Sequence, residues 1–316
     1  MAERVQLCGF ARRSGRLWVH GLALLLCAAT LVLLLFGGLV TTTGAALAVP
    51  DWPTTFGYNM FLYPWAKMVG GIFYEHSHRL VGSVVGLLTI AVALALWVAE
   101  PRRWVRWLGL LALLLVTVQG LLGGFRVLFR RETLAVLHGS LAPVFFALTA
   151  CLALVTSLTW AEEPRVARSA GDVPLKWLAL STTGLLFLQI VLGALLTHLG
   201  RQLEGHLLGA VVLTALIPAL ALRALKHDSD HPWLGRLGLW LAGLLAIQLA
   251  LGVGAYLYRF TGVPIALGEI WGLAIPVAHR LAGALLVAVS LVFTLQVFRL
   301  LGAPLASTSG RAVLSE

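Results

Sequence analysis

Leu22–Val40 reads LALLLCAATLVLLLFGGLV, nineteen consecutive residues with no charge and no alternation of apolar and polar positions. A helix rising 1.5 Å per residue needs about 20 such residues to cross a hydrocarbon core of about 30 Å. The stretch therefore reads as a transmembrane helix, and the missing period-two pattern argues against a membrane barrel strand. VGSVVGLLTIAVALALWVA at Val81–Ala99 and LAGALLVAVSLVFTLQV at Leu281–Val297 repeat the pattern. Composition agrees: the 316-residue chain is 59% hydrophobic and 11% charged, against about a quarter charged in soluble proteins. The expected fold is all-α and polytopic, with the lipid bilayer as its solvent.

Hydropathy outward from these runs gives eight spans, near 17–40, 77–99, 107–124, 133–158, 176–198, 205–225, 236–258 and 271–298. The net charge of +10 does not indicate a nucleic-acid partner, because the basic residues fall in the short connections between spans. Placing the N-terminus inside puts fifteen of the 23 Lys and Arg on the cytoplasmic side, among them Arg12, Arg13, Arg102, Arg103, Arg165 and Arg168. The positive-inside rule thus favours cytoplasmic termini. The arginines before Leu22 resemble a signal-peptide start, but the apolar run is too long and no cleavage site follows, so it reads as a first spanning helix. Cys8, Cys27 and Cys151 show neither disulfide nor zinc spacing and read as packing residues.

The connection 161–175, with two prolines and several charges, divides the chain into an N-terminal four-helix bundle (1–160) and a C-terminal one (176–316). An internal echo supports the division. Gln119, Gln189 and Gln248 are each followed four residues later by glycine, at Gly123, Gly193 and Gly252. A repeat explains the echo, and halves of four spans insert the same way up, giving two pseudo-symmetric four-helix bundles side by side. The glycines alone would also serve close helix packing. The long loop from 41 to 74 holds Pro50, Asp51, Trp52, Pro53, Tyr63 and Trp65, a mixture suited to ordered structure at the interface.

Four histidines, His78, His138, His206 and His279, fall at or near the outer start of even-numbered spans, two in each half. A polar ring at membrane depth is costly unless it faces a ligand or cavity, and two imidazoles from different helices of a bundle suit axial ligation of haem iron. His78 and His279 share H-R-L-x-G, and the adjacent Arg79 and Arg280 carry forked donors that suit a haem propionate. Glu75, one helical turn before His78, shares its face and is a candidate catalytic acid or base. Glu204 and Glu269 read as helix-start carboxylates. His20, His76, His198, His227 and His231 read as non-ligands, with His198 the nearest competitor to His206.

GGLVTTTGAALAVPDWP at Gly37–Pro53, EHSHRLVG at Glu75–Gly82, His138-Gly139 and VAHRLAG at Val277–Gly283 resemble the haem A synthase family over nearly all eight spans. The resemblance implies oxidation of the C8 methyl group of haem O, by successive hydroxylations, to the formyl group of haem A for terminal oxidases. It implies that His78 and His138 hold the substrate haem O, that His206 and His279 bind the iron of a haem b cofactor, and that Glu75 acts at the reacting methyl. A bacterial inner membrane, partnership with haem O synthase and terminal-oxidase assembly factors, and a homo-oligomer are compatible with that reading. One departure stands out: many members carry a cysteine pair in the first outer loop where this chain has Val49 and Thr55. Two other functions use the same histidines, a bis-histidine dihaem electron relay linked to quinol and a non-enzymatic haem carrier or assembly factor.

Overall fold

A computed structural model describes residues 2–161, 172–226, 232–261 and 268–302. Its helices in chain order are α1 (Ala2–Thr42), α2 (Gly71–Ala99), α3 (Arg103–Phe129), α4 (Glu132–Thr156), a single turn α5 (Leu158–Ala161), α6 (Asp172–Leu199), α7 (Leu203–Leu225), α8 (Pro232–Phe260) and α9 (Glu269–Gly302). All but α5 are long and apolar enough to cross a membrane, and each coincides with an expected span to within about six residues, except that α1 begins at Ala2, well before the apolar part that starts at Leu17. In lipid every backbone N–H and C=O must be paired within the protein, which is why uninterrupted apolar runs become helices. Residues 162–171 of the expected linker, with Arg165 and Arg168, lie outside the described residues, as do His227, His231 and Arg311. Residues 172–175 of that linker already belong to α6.

Neighbouring helices close into two rings. In the first, α1 packs on α2 and α4, and α3 on α2 and α4; in the second, α6 packs on α7 and α9, and α8 on α7 and α9. Helices α4 and α9 touch each other and bury more than half of their spans, so they form the shared wall between the rings. Each ring has its own apolar core, one around Leu26, Val85, Leu96 and Leu152, the other around Ile217, Leu220, Leu241 and Phe293. Leu24, Trp97, Leu208 and Trp240 point outward, half-exposed or more, where acyl chains would cover them.

Because lipid is as apolar as leucine, helices associate through close packing of small residues and hydrogen bonds rather than through burial from water. A Cβ on Gly109 of α3 would lie 2.8 Å from Leu96 Cδ1, and one on Gly238 of α8 would lie 3.0 Å from the Ala221 backbone. Inside the second ring, Thr183 joins Ser290 (2.7 Å) and Thr294 (2.9 Å). In short, α6 and α9 are pinned by hydroxyls where their backbones are already paired.

The connection 43–70 is ordered by its own polar groups. Asp51 accepts hydrogen bonds from the N–H of Phe56 (2.8 Å) and Gly57 (2.9 Å) and from the Thr54 hydroxyl. Two short 3-10 turns follow, at Met60–Leu62 and Trp65–Lys67. The loop returns the chain to α2 at the end of the rings where all four histidines sit.

Candidate functional site

Each of the four histidines stands over a glycine of the preceding spanning helix. A Cβ on Gly37 (α1) would stand 3.2 Å from His78 Cε1 (α2), on Gly123 (α3) 3.3 Å from His138 Cε1 (α4), on Gly193 (α6) 3.3 Å from His206 Cε1 (α7), and on Gly252 (α8) 3.1 Å from His279 Cε1 (α9). Any larger residue would push the ring away from its seat. One turn earlier on the same helices, the backbone C=O of Gln119 lies 3.1 Å from His138 Nδ1 and that of Gln248 lies 3.3 Å from His279 Nδ1. The Gln119 and Gln189 side-chain amides donate to the backbone carbonyls of His138 (3.2 Å) and His206 (2.8 Å).

Sequence reading found this glutamine and glycine unit in three helices and missed the fourth. In α1 the glycine is Gly37, and Leu33 takes the glutamine position, its backbone beside the His78 ring. His78 Nδ1 and His206 Nδ1 are buried without a closed hydrogen bond. With Nδ1 turned to the preceding helix, Nε2 is the nitrogen left for a metal, and a hydrogen bond to a backbone carbonyl fixes that tautomer.

The histidines pair within each ring of helices. His78 and His138 have ring centroids 6.3 Å apart with planes at 87°, and His206 and His279 have centroids 6.3 Å apart with planes at 75°. Two imidazoles bound through Nε2 to one iron, with bonds of about 2.0 Å and ring centres about 1.1 Å beyond each nitrogen, stand about 6 Å apart. Among the described residues no group of three or more His, Cys, Asp or Glu gathers as a bare metal would need. A pair of imidazoles at this separation fits an iron that brings four equatorial ligands of its own. Gln248 Nε2 lies 3.3 Å from His279 Nε2, so that amide must turn aside when the nitrogen takes a metal.

Glu75 and Arg79 form a buried clamp on the first loop. Glu75 Oε2 accepts the Val49 N–H (2.8 Å), and Oε1 accepts from Arg79 (2.8 Å). Arg79 also donates to the carbonyls of Asp51 (2.7 Å), Val49 (3.0 Å) and Thr54 (3.0 Å). The propionate role expected of Arg79 therefore competes with three loop carbonyls and a carboxylate, which sequence could not reveal because backbone acceptors carry no residue signature. Arg280 instead reaches α1, donating to the Gly38 carbonyl (3.3 Å) and the Thr42 hydroxyl.

Val49 and Thr55, the positions of the departure noted in the first outer loop, are buried and held by the same segment of α2. Val49 is held through its backbone, and Thr55 Oγ1 lies 3.1 Å from His76 Nδ1. His76 also faces Tyr63, with ring centroids 5.2 Å apart, so it latches the loop. Trp52 crosses to α3, lying so close to Gly124 that a Cβ there would fall 2.5 Å from the indole. Gly124 adjoins Gly123, the seat of His138, and the loop thus covers the first histidine pair. His198 is not drawn into the second pair; its ring lies against Gly139, beside His138. His20 pairs with Thr156 at 3.3 Å. Glu204 and Glu269 occupy first turns of α7 and α9.

Comparison with known proteins points the same way. A family model described as cytochrome oxidase assembly protein (COX15-CtaA) matches residues 20–205, a segment that contains the loop, His78 and His138. A protein named "Heme A synthase" from Shouchella clausii is 33% identical over 136 residues, 42% of this chain and 43% of its own length. Its namesake from Bacillus pumilus is 25% identical over 191 residues, 59% and 52% of the two chains. One from Geobacillus kaustophilus is 24% identical over 258 residues, 72% of this chain and 78% of the relative. The chain thus matches about half the length of the first two relatives and more of the third.

Proposed function

Because the chain belongs to the COX15-CtaA family of cytochrome oxidase assembly proteins, we propose that it is a haem A synthase, oxidising the C8 methyl group of haem O to a formyl group by successive hydroxylations. The observation that carries this reading is the pair of imidazole pairs, each with centroids 6.3 Å apart. His78 and His138 would hold the substrate haem O, and His206 and His279 a resident haem b. When bound, that haem supplies one-electron transfer chemistry. The protein's own residues then position the substrate and exclude water.

The first pair carries the reaction in this proposal because, among the described residues, the long ordered connection 43–70 lies beside it. Trp52 on Gly124 and the Val49–Thr55 turn close that site from the aqueous side. Glu75, one turn before His78, is the carboxylate assigned to proton transfer at the reacting methyl, its two oxygens oriented by the Val49 N–H and Arg79. Arg280, and Arg79 through whatever donor the loop leaves it, are the propionate partners of this reading. Cytoplasmic termini in a bacterial inner membrane put the loop outside, in keeping with the excess of basic residues on the opposite side. Haem O synthase and terminal-oxidase assembly factors are the partners proposed to supply the substrate and receive the product.

One observation favours an electron relay instead. The two histidine pairs share one geometry, and both Glu75 oxygens are engaged by the protein, as suits a structural carboxylate. The deciding experiment is expression in a host that makes haem O but not haem A, with extraction, chromatography and mass analysis of the haems. Haem A or its hydroxylated intermediate supports the enzyme. Haem B alone on a folded protein, with haem O present, supports the relay.

A further inference from the structure

The four paired histidines are not held alike. Gln119 grips His138 twice, its backbone carbonyl 3.1 Å from Nδ1 and its side-chain amide donating to the His138 carbonyl at 3.2 Å. Gln189 donates to the His206 carbonyl at 2.8 Å. Gln248 meets the His279 ring with its carbonyl at Nδ1 and its amide at Nε2, both at 3.3 Å. The same step of α1 carries Leu33, which has no amide to give. Its backbone lies beside the His78 ring, yet no hydrogen bond closes on the buried Nδ1. His206 Nδ1 is open too, but the Gln189 amide holds that residue by its carbonyl.

Packing one turn past the histidines shows the same difference. Gln189 lies so close over Gly209 of α7 that a Cβ there would fall 2.6 Å from Oε1, and one on Gly283 of α9 would fall 3.3 Å from Gln248 Nε2. At Gly82 of α2 the corresponding distance, to Leu33 Cδ1, is 3.7 Å, an ordinary contact. The polar ties of α2 at this level run instead to the 43–70 loop, from Glu75 to the Val49 N–H and from Arg79 to the carbonyls of Val49, Asp51 and Thr54. His78 lies between Glu75 and Arg79 in sequence. The hydrogen bonds that steady its turn of helix therefore come from the cover of the site and not from the helix beside it.

Resting on the haem reading, we propose that Leu33 makes His78 the releasable ligand of the first pair, while His138, braced by Gln119, keeps the iron. Hydrogen bonds behind a ligating histidine fix its orientation and strengthen its hold on the metal. A resident haem gains from two braced rings, but a substrate haem must arrive and its product leave. Exchange needs one imidazole that lets go, and the one without an amide brace stands under the loop. Release breaks the Fe–Nε2 bond with the electron pair staying on nitrogen, so it consumes neither oxidant nor proton. Lifting the loop loosens the same turn of α2, which ties release of His78 to opening of the site.

The test uses the full-length protein in detergent, carrying H206A/H279A so that the first pair alone is read, loaded with haem O or haem b and reduced. Carbon monoxide enters a six-coordinate iron only as fast as an imidazole lets go, and the Soret band follows its entry. L33Q, which supplies the amide over a Gly82 with room for it, should slow carbon monoxide binding about tenfold. L33M, close to glutamine in shape but without the amide, should bind it as fast as the parent. Removing each ligand in turn identifies the one released: H78A should keep its haem with a five-coordinate spectrum, and H138A should lose it. L33Q binding carbon monoxide no more slowly than L33M, or H138A holding haem as well as H78A does, overturns the proposal. A first pair that gives no six-coordinate spectrum with either haem overturns the haem reading itself, and the proposal with it.

Discussion

Gly252 lies directly under the His279 imidazole, so near that a Cβ would stand 3.1 Å from Cε1. Gly252→Val should therefore tilt the ring off the axis it shares with His206 and replace a low-spin haem spectrum by a high-spin one in the second half. Gly243 of the same helix meets nothing within 4 Å, and Gly243→Ala should leave the spectrum unaltered. His279→Ala should remove the second-half signal while the chain remains inserted. An intact second signal in His279→Ala would take that residue out of the ligand set.

Glu75→Ala should keep haem bound through the histidines yet lower haem A output. It should also loosen the loop, because Arg79 loses its one carboxylate in a buried setting, at a cost of about 3 kcal/mol. Thermal unfolding and limited proteolysis of the 43–70 segment report the structural part, and haem analysis the chemical part. Normal haem A production by Glu75→Ala would exclude the residue from the chemistry.

Gly124→Ala should expel Trp52 from α3, since its Cβ would fall 2.5 Å from the indole. The expected readings are a red-shifted tryptophan emission and faster loss of substrate haem from the first pair, with the second pair unaffected. Equal effects on both haem signals would mean that the loop does not cover one site selectively.

Burial raises the Asp51 carboxyl, but hydrogen bonds from the Gly57 N–H, the Thr54 hydroxyl and the Phe56 N–H outweigh it, holding the group below its usual 3.8. A depressed folded value means that Asp51 contributes to loop stability above the ordinary carboxylate range and loses that contribution as pH falls through the lowered value. Proteolytic sensitivity of the loop should stay flat from neutral pH to about 4 and rise only below it. Asp51→Asn should be sensitive at every pH; a loop equally protected in Asp51→Asn would show that these bonds are dispensable.

Much of this was legible before any coordinates. The eight spans follow from hydropathy because lipid leaves the backbone no alternative to the helix, and the four histidines were marked by their common depth. The glutamine and glycine echo was read in three helices; the α1 copy escaped because Leu33 replaces the glutamine and only Gly37 keeps the pattern. The clamp was invisible for another reason. Arg79 grips carbonyls of residues 49, 51 and 54, and any residue type supplies a carbonyl. His198 looked like a rival for the second pair by sequence distance from His206, whereas helix packing carries it to Gly139 in the other half.

Four copies of one two-helix unit, a glycine seat and the ring above it, build the whole frame, so the frame treats both sites alike. The helix pairs are joined by two residues between α3 and α4 and three between α6 and α7, but by the long segment 43–70 between α1 and α2. In the proposed reading, division of labour between the twin sites is vested in this appendage rather than in the scaffold of seats and rings. A chain of this design can specialise one half by elaborating a single connection, leaving the spacing of both ring pairs untouched.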